Sequence, residues 1–574
     1  MNPTLKSVHA LHRWQLHKVT KFIQRMDEPL PDGLIGLATQ AITGTGKTFG
    51  SISCAKVWFE RHGSDARLIV VVPSSALNAQ WYDILTAQTL GNVSRQGAKK
   101  KYDGFSPIVI TTMNSLKHVS HHRNMRNKQV LYILDEAHKC ASEGCMKELK
   151  KARRNGVMQA VIAVSGTLHR TDGRCIMDLT GFDGYEYDAY GKQRRKPHIN
   201  YGYAQALKDD IIPPFRIHIY QLSWYDMTWM EQNDYNTYTK TMAMYLDKAQ
   251  KEDGLDAGDL FLAKYQHLDN VKSYNFAARK RKRLIDTIEM RFTLLDEILE
   301  ERALLGHKGL FMHTSISAIT RIKNTMLAKG LEKPFIYHSG ENIDYDDATV
   351  EEIAEWKEYN KHRNGILKEW LDPRTESGIM LSVKALTEGI DVPELDFNIQ
   401  GASNNTHTPI LQAIGRSLRG NKNDEGQWVD SNGEPLEHKD IYFFVQGGTT
   451  DADKLMYAKQ AAQIPDECFI TYTRKNDVWT PMKGADIETT NKIDSYAIEY
   501  FDDDVIKYDT DTIDDFDFDD DDSDIDDFDF DDDDDAESDI FDSPVVFDTT
   551  TGEFVPKDKT NTKNKNKKKR RKLC

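Results

Sequence analysis

The sequence predicts an α/β protein built as two parallel-sheet lobes, with a helical segment between them and a charged tail that joins neither. Three observations predict it. From about Leu11 to Ala206, short β-branched apolar runs alternate with helix-like stretches, the pattern of βαβ units. A second series of the same kind begins near Gly309. After about Tyr500 the composition collapses to DDFDFDDDDSDIDDFDFDDDDD, which has too little apolar surface to offset chain entropy. The expected divisions are residues 1–222 for the first lobe, 223–302 for a helical insertion, 303–500 for the second lobe and 501–574 for a disordered tail.

In the first lobe, Leu68 to Val72, Ile108 to Thr111, Val130 to Leu134 and Ala160 to Ser165 read as buried central strands. Each ends in a polar or glycine-containing turn, where open α/β sheets place their ligands. Between about Ser223 and Arg302 the pattern is long, charged and helical, with no convincing strand. Its basic stretch Arg279 to Arg283 is either a solvated helix face or a contact for phosphates. The second lobe offers GLFMHTS, PFIYHSG, GIMLSV, DFNIQ and DIYFFV as strands. The tail is acidic first and basic at its end, KNKNKKKRRK.

The chain has 574 residues, 39% of them hydrophobic, enough for more than one core. No apolar run is long enough to span a membrane, and the N-terminus lacks a secretory h-region, so a cytoplasmic protein is expected, in the host cytoplasm if the source is viral. Six cysteines without paired CxxC spacing fit reduced thiols better than a zinc site. The formal charge of −16 comes largely from the tail, and so does not exclude a polyanionic partner.

The chemistry concentrates in a few short motifs. Ala41 to Thr48, AITGTGKT, lies between an expected strand, Leu34 to Ala38, and an expected helix, Phe49 to Arg61. Gly44, Thr45 and Gly46 would let backbone amides curl around phosphate oxygens. Lys47 would reach the β- and γ-phosphates, and Thr48 would hold Mg²⁺. Asp135, Glu136, Ala137 and His138 follow a buried strand, where two acids are costly unless a cation or substrate needs them. Asp135 suits the magnesium shell, and Glu136 suits a base for the attacking water. Ser165, Gly166 and Thr167 end the next strand, as a γ-phosphate sensor or as an ordinary turn. In QAIGRSLR, Arg416 and Arg419 are three apart on one face of an expected helix, suited to fork onto phosphates.

The order of these motifs resembles the superfamily 2 helicases that carry a DEAH sequence, over about Leu11 to Val445. The resemblance implies two RecA-like lobes that share ATP and Mg²⁺ between them. It makes Gln15 of LHRWQ the adenine-recognising residue. It assigns Pro73 to Trp81 and Thr111 to Leu116 to the nucleic-acid backbone, and Gly389 and Asp391 of KALTEGIDVP to nucleotide and strand. It places Gln412, Arg416 and Arg419 across the cleft from Lys47. QAIGRSLR resembles the family's motif VI, and opens with Gln412 where RNA-remodelling DEAD-box proteins have His, which favours the DNA-acting branch, similar to phage recombination and branch-migration helicases and bacterial repair relatives.

The implied activity is a DNA helicase or translocase in replication, recombination or repair. The alternatives are the ATPase motor of a restriction or defence complex, and an RNA helicase. The expected partner is DNA, single-stranded, duplex or branched. The acidic tail is an autoinhibitor, a docking segment for a protein partner, or a solubilising segment.

Overall fold

The computed structural model describes residues 11–88, 92–97, 100–169, 174–187, 193–255, 260, 265–338, 359, 362, 365–372, 375, 378–383, 395–402, 407–447, 449, 451–475, 478–484, 545–548 and 553–556. Gly389 and Asp391 lie outside these, as does most of the tail for which disorder is expected. Within 521–574, a unit of its own, Val545–Asp548 pairs antiparallel with Glu553–Pro556.

The strands of the first lobe are β1 (Ile35–Ala41), β2 (Ala66–Val72), β3 (Val93–Gln96), β4 (Ile108–Thr112), β5 (Gln129–Asp135), β6 (Ala160–Ser165), β7 (Tyr185–Tyr187), β8 (Gln193–Arg195) and β9 (Ile199–Tyr201). All but β7 and β8, which pair with each other, form one seven-stranded sheet in the order β3-β4-β2-β5-β6-β1-β9. Every pairing in it is parallel. The β-branched runs serve both faces of this sheet. Leu68, Val70 and Val72 pack with Phe22 and Trp58 on one side. Ile69 and Val71 pack with Leu116 and Leu149 on the other. A strand whose neighbouring residues are all apolar is therefore covered by helices on both sides. Those helices are α1 (Arg13–Asp27), α2 (Lys47–His62), α3 (Ser75–Gln88), α4 (Leu116–Ser120), α5 (Ala137–Cys140), α6 (Glu143–Arg154) and α7 (Met177–Thr180), while α8 (Tyr203–Lys208) packs at the junction with the second lobe.

The second lobe contains β10 (Phe215–Leu222), β11 (Lys308–His313), β12 (Phe335–His338), β13 (Gly378–Val383), β14 (Phe397–Gln400), β15 (Asn421–Lys422), β16 (Trp428–Val429), β17 (Lys439–Gln446), β18 (Phe469–Lys475) and β19 (Val478–Lys483). Eight of them make a sheet in the order β12-β13-β11-β14-β17-β10-β18-β19, parallel except at its last pair. This corrects two boundaries drawn from sequence. β10, placed in the first lobe by the division at residue 222, is hydrogen-bonded between β17 and β18. The helix α11 (Glu289–Leu304), placed in the insertion, packs Phe292, Leu295 and Leu299 against Phe311, Leu381 and Phe397 of the second sheet.

What stands apart is a two-helix hairpin, α9 (Trp229–Lys248) and α10 (Asp269–Asp286). A capping box starts α9: the Thr228 amide donates to Glu231 Oε2 at 2.7 Å, and the Glu231 amide to Thr228 Oγ1 at 3.3 Å. The two helices join through Met242, Leu246 and Ala249 against Val271, Tyr274 and Ala278. The helix α12 (Ile316–Ala328) completes the second lobe's cover. Among the described residues no helix is long and apolar enough to cross a membrane.

The lobes meet through a shared apolar cluster. Trp14, Ile42, Tyr201 and Tyr203 of the first pack with Ile217, Ile410, Leu411 and Ile414 of the second. Backbone bonds reinforce it, from the Tyr203 amide to the Ala462 carbonyl at 2.9 Å and from the Ala204 amide to Gln463 at 3.0 Å.

Candidate nucleotide site at the lobe junction

β1 ends at Ala41, and the turn after it runs straight into α2. Gly44 and Gly46 hold φ of +88° and +78°, a conformation that L side chains rarely adopt. The Thr45 hydroxyl donates to the Ile42 carbonyl at 2.8 Å and closes the turn. Lys47 opens the helix, with its ammonium buried and making no hydrogen bond among the described residues. Glu136 Oε1 is 3.8 Å away. A buried ammonium without a hydrogen bond is costly, and phosphate oxygens at the positive end of a helix would supply what it lacks. The turn therefore fits the phosphates of a nucleotide.

Gln15 reaches this turn from α1. Its Nε2 donates to the carbonyls of Gly46 at 2.9 Å and Thr45 at 3.4 Å, while its Oε1 accepts from the His12 amide at 2.9 Å. It braces the phosphate loop from behind.

Asp135 and Glu136 stand where β5 ends. Trp81 Nε1 donates to Asp135 Oδ2 at 2.7 Å. Burial and the neighbouring Glu136 carboxylate push the Asp135 pKa upward, against the pull of Lys47 and Trp81. A magnesium ion would favour the ionised carboxylate, and Asp135 with the Thr48 hydroxyl offers the hard oxygen donors that it prefers. Glu136 holds φ 45° and ψ 54°, left-handed and costly for a residue with a side chain. Burial raises its pKa, but Lys47, His138 and the Ser165 hydroxyl outweigh burial and hold it below the ordinary value. Ser165 Oγ donates to Glu136 Oε2 at 3.2 Å and lies 2.8 Å from His138 Nδ1. The Thr167 amide also donates to Ser165 Oγ, at 3.2 Å. Ser165 thus links the acid pair to the turn after β6.

The second lobe brings the helix His407–Ser417 against the phosphate loop. A Cβ added at Gly415 would fall 2.5 Å from Thr43 Cβ, so only glycine permits this approach. Arg416 follows on the same helix and is half-buried. Arg419 Cγ is 3.5 Å from the place a Cβ on Gly44 would occupy, and the Arg419 carbonyl accepts from Lys439 Nζ at 2.6 Å. Gln412 lines one pocket together with Thr43, Glu136, His138, Gly166 and Tyr203. Residues some 270 positions apart thus share one cavity.

Pro73 to Trp81 and Thr111 to Leu116 follow β2 and β4 at the same edge of the sheet. Three side chains of the first segment are engaged internally: Trp81 on Asp135, Asn78 on the Gln96 carbonyl at 3.2 Å and Arg95 Nε at 2.7 Å, and Ser74, whose Oγ accepts from the Leu77 amide at 3.3 Å. Sequence reasoning missed Lys18. It is fully buried in α1 and donates to Ser51 Oγ at 2.7 Å, and Ser51 Oγ in turn donates to the Lys47 carbonyl at 2.9 Å. Burial pushes the Lys18 pKa down to about 8, opposed by Cys54 and Asp135. The signal was available: Lys18 lies four residues from both Trp14 and Phe22, on the apolar face of its helix.

Residues 9–170 match the family described as Type III restriction enzyme, res subunit. An uncharacterized protein of Mycobacterium tuberculosis is 24% identical over 434 residues, 72% of this chain and 60% of the relative. One of Mycobacterium leprae is 22% identical over 424 residues, 72% of this chain and 61% of the relative. The chain thus spans about three fifths of the length of these curated relatives. Among solved structures, the ATP-dependent Type ISP restriction-modification enzyme LlaBIII bound to DNA is similar over 81% of this chain and 30% of its own, at 14% identity and a TM-score of 0.47. The Hef helicase domain of Pyrococcus furiosus is similar over 77% and 99%, at 13% identity and a TM-score of 0.44. Dbp5 of S. cerevisiae bound to RNA and ADP BeF3 is similar over 80% and 94%, at 11% and 0.41. The family match falls within the first lobe.

Proposed function

We propose that the chain is an ATP-dependent motor on DNA, a helicase or branch-migration translocase of the DEAH-containing kind, acting in recombination, replication or repair. The observation that carries this reading is the shared cavity, which Gln412 of the second lobe and Glu136 of the first both line, with Lys47 Nζ 3.8 Å from Glu136. A site split between two lobes converts the presence or loss of one phosphate into relative motion of the lobes.

Each residue then has a task. Gly44, Thr45 and Gly46 present amides to the phosphates, Lys47 supplies the missing cation, and Gln15 supports the turn. Glu136, held ionised by Lys47 and aligned by Ser165, takes the proton of the attacking water. Arg416 and Arg419 neutralise charge developing at the departing phosphate. Magnesium, held by Thr48 and Asp135, would screen the triphosphate. Gly389 and Asp391 are proposed, from the resemblance alone, to couple nucleotide to strand.

The test is ATP hydrolysis by the full chain with single-stranded DNA, duplex, forked DNA and RNA compared side by side. Stimulation by DNA above RNA is expected, with Glu136→Gln binding ATP but failing to turn it over. Stimulation by RNA alone would transfer the reading to an RNA helicase. A second reading rests on the family match: the chain is the motor of a restriction or defence complex. A nuclease or methylase that copurifies and depends on its ATPase would favour that one.

A further inference from the structure

The hairpin α9–α10 takes no part in the nucleotide site, yet one face of α10 is built for a ligand of definite charge. Lys272, Phe276, Arg279 and Arg283 are exposed at spacings of four, three and four residues, which places them along a single stripe, with Lys280 beside it. Phe276 is 57% exposed, and Lys280 Nζ lies 5.3 Å from its ring centroid. Lys272 is bridged to Asp269 at the start of the helix. Arg279, Lys280 and Arg283 make no ion pair among the described residues.

Three other cations nearby are matched. Arg281 of the same helix lies over the Tyr235 ring at 5.5 Å and donates to Thr239 Oγ1 at 3.4 Å. Arg291 pairs with Asp286, and Arg321 with Glu289. Like charges four residues apart cost a helix stability, as Arg279 and Arg283 do here. A stripe of cations, most of them without an ion pair and interrupted by an exposed ring, is complementary to a phosphodiester strand with accessible bases.

Its root lies where such a strand would be. The Asp286 carbonyl at the end of α10 accepts from His313 Nε2 at 3.1 Å, and His313 ends β11. Arg291 Nη1 donates to Asp286 Oδ1 and to the carbonyl of Gly401, which follows β14. The C-terminal end of α10 is thus tied to the carboxyl edge of the second sheet, the side on which parallel α/β sheets bind ligands. At about 1.5 Å per residue the stripe extends about 16 Å from Arg283 to Lys272.

We infer that α10 is an accessory track for the backbone of the nucleic-acid strand, extending from the second lobe. The inference rests on the motor reading and names a surface that the nucleotide site does not require. It is tested on the full chain carrying Arg279→Ala, Lys280→Ala and Arg283→Ala together, with binding to single-stranded DNA and to RNA followed by fluorescence anisotropy over a series of salt concentrations.

The triple variant is expected to bind about tenfold more weakly and to lower the slope of log affinity against log salt by about 2, since each single-strand contact contributes roughly 0.7. Hydrolysis without nucleic acid should stay at the wild-type rate, which also reports a folded protein. An unchanged affinity and slope in the variant, with wild type binding normally, overturns the track and leaves the motor reading standing. Wild type that binds neither nucleic acid overturns the motor reading itself. Loss of an acidic protein partner with nucleic-acid binding intact overturns the track and assigns the stripe to that partner.

Discussion

The two lobes bury charge in opposite ways. Around the end of β5, Asp135 is pushed toward protonation and Glu136 sits in a strained conformation, while Lys47 at the start of α2 has no hydrogen bond among the described residues. In the second lobe Asp440 is just as deeply buried, but it accepts from His218 Nε2 at 2.7 Å and from Arg302 Nη2 at 2.6 Å. His218 in turn meets the Tyr472 hydroxyl at 3.0 Å and stacks on Tyr442 at 4.7 Å. Burial alone would raise the Asp440 pKa; His218, His438 and Arg302 reverse that and hold it far below the carboxylate range. A satisfied buried charge holds a fold together, whereas an unsatisfied one waits for a ligand.

Removing one group from each centre should separate the two roles. Lys47→Ala is expected to cut ATP turnover about a hundredfold or more, through loss of the phosphate cation, with little change in unfolding. A collapse in stability with turnover retained would break the contrast. Asp440→Ala should do the reverse. It leaves Arg302 buried without its partner and costs about 3 to 5 kcal/mol in urea unfolding, while turnover of the folded protein stays within about twofold.

The pH dependence sharpens this. The folded pKa of Asp440 is depressed, so its contribution to stability is present above the unfolded value of roughly 3.9 and fades as pH falls through it toward the folded value. The stability difference between wild type and Asp440→Ala should therefore be constant near neutrality and shrink below about pH 4. The smallest effect is expected at Lys18. Replacement by methionine removes a buried cation whose pKa has fallen to about 8, and should stabilise the fold by about 1 to 3 kcal/mol at neutral pH. It should also slow turnover about fivefold by freeing Ser51 from one of its two bonds. A destabilised variant would place Lys18 with Asp440, among the structural charges.

Much of the candidate site was legible because each part is local. AITGTGKT, DEAH, SGT and QAIGRSLR each lie within eight residues or fewer, next to a strand or helix that periodicity reveals. What escaped was non-local. β10 reads as FRIHIYQL, but its neighbours β17 and β18 lie more than 200 residues further on, and nothing local reports the pairing. Its polar positions are explained only by that pairing, since His218 needs Asp440 and Tyr472 beside it. α11 was lost for a similar reason: its apolar face resembles that of any amphipathic helix until the second sheet is seen beneath it. The bond between Trp81 and Asp135 likewise joins two motifs that had been read separately.

The joint made by Trp14, Tyr201 and Tyr203 against Ile410, Leu411 and Ile414 sets a thermal signature for the proposed cycle. Parting the lobes there would wet apolar surface, and wetting apolar surface raises heat capacity. The work of opening should therefore shrink in the cold and grow with moderate warming, so that an Eyring plot of turnover bends wherever opening limits the rate.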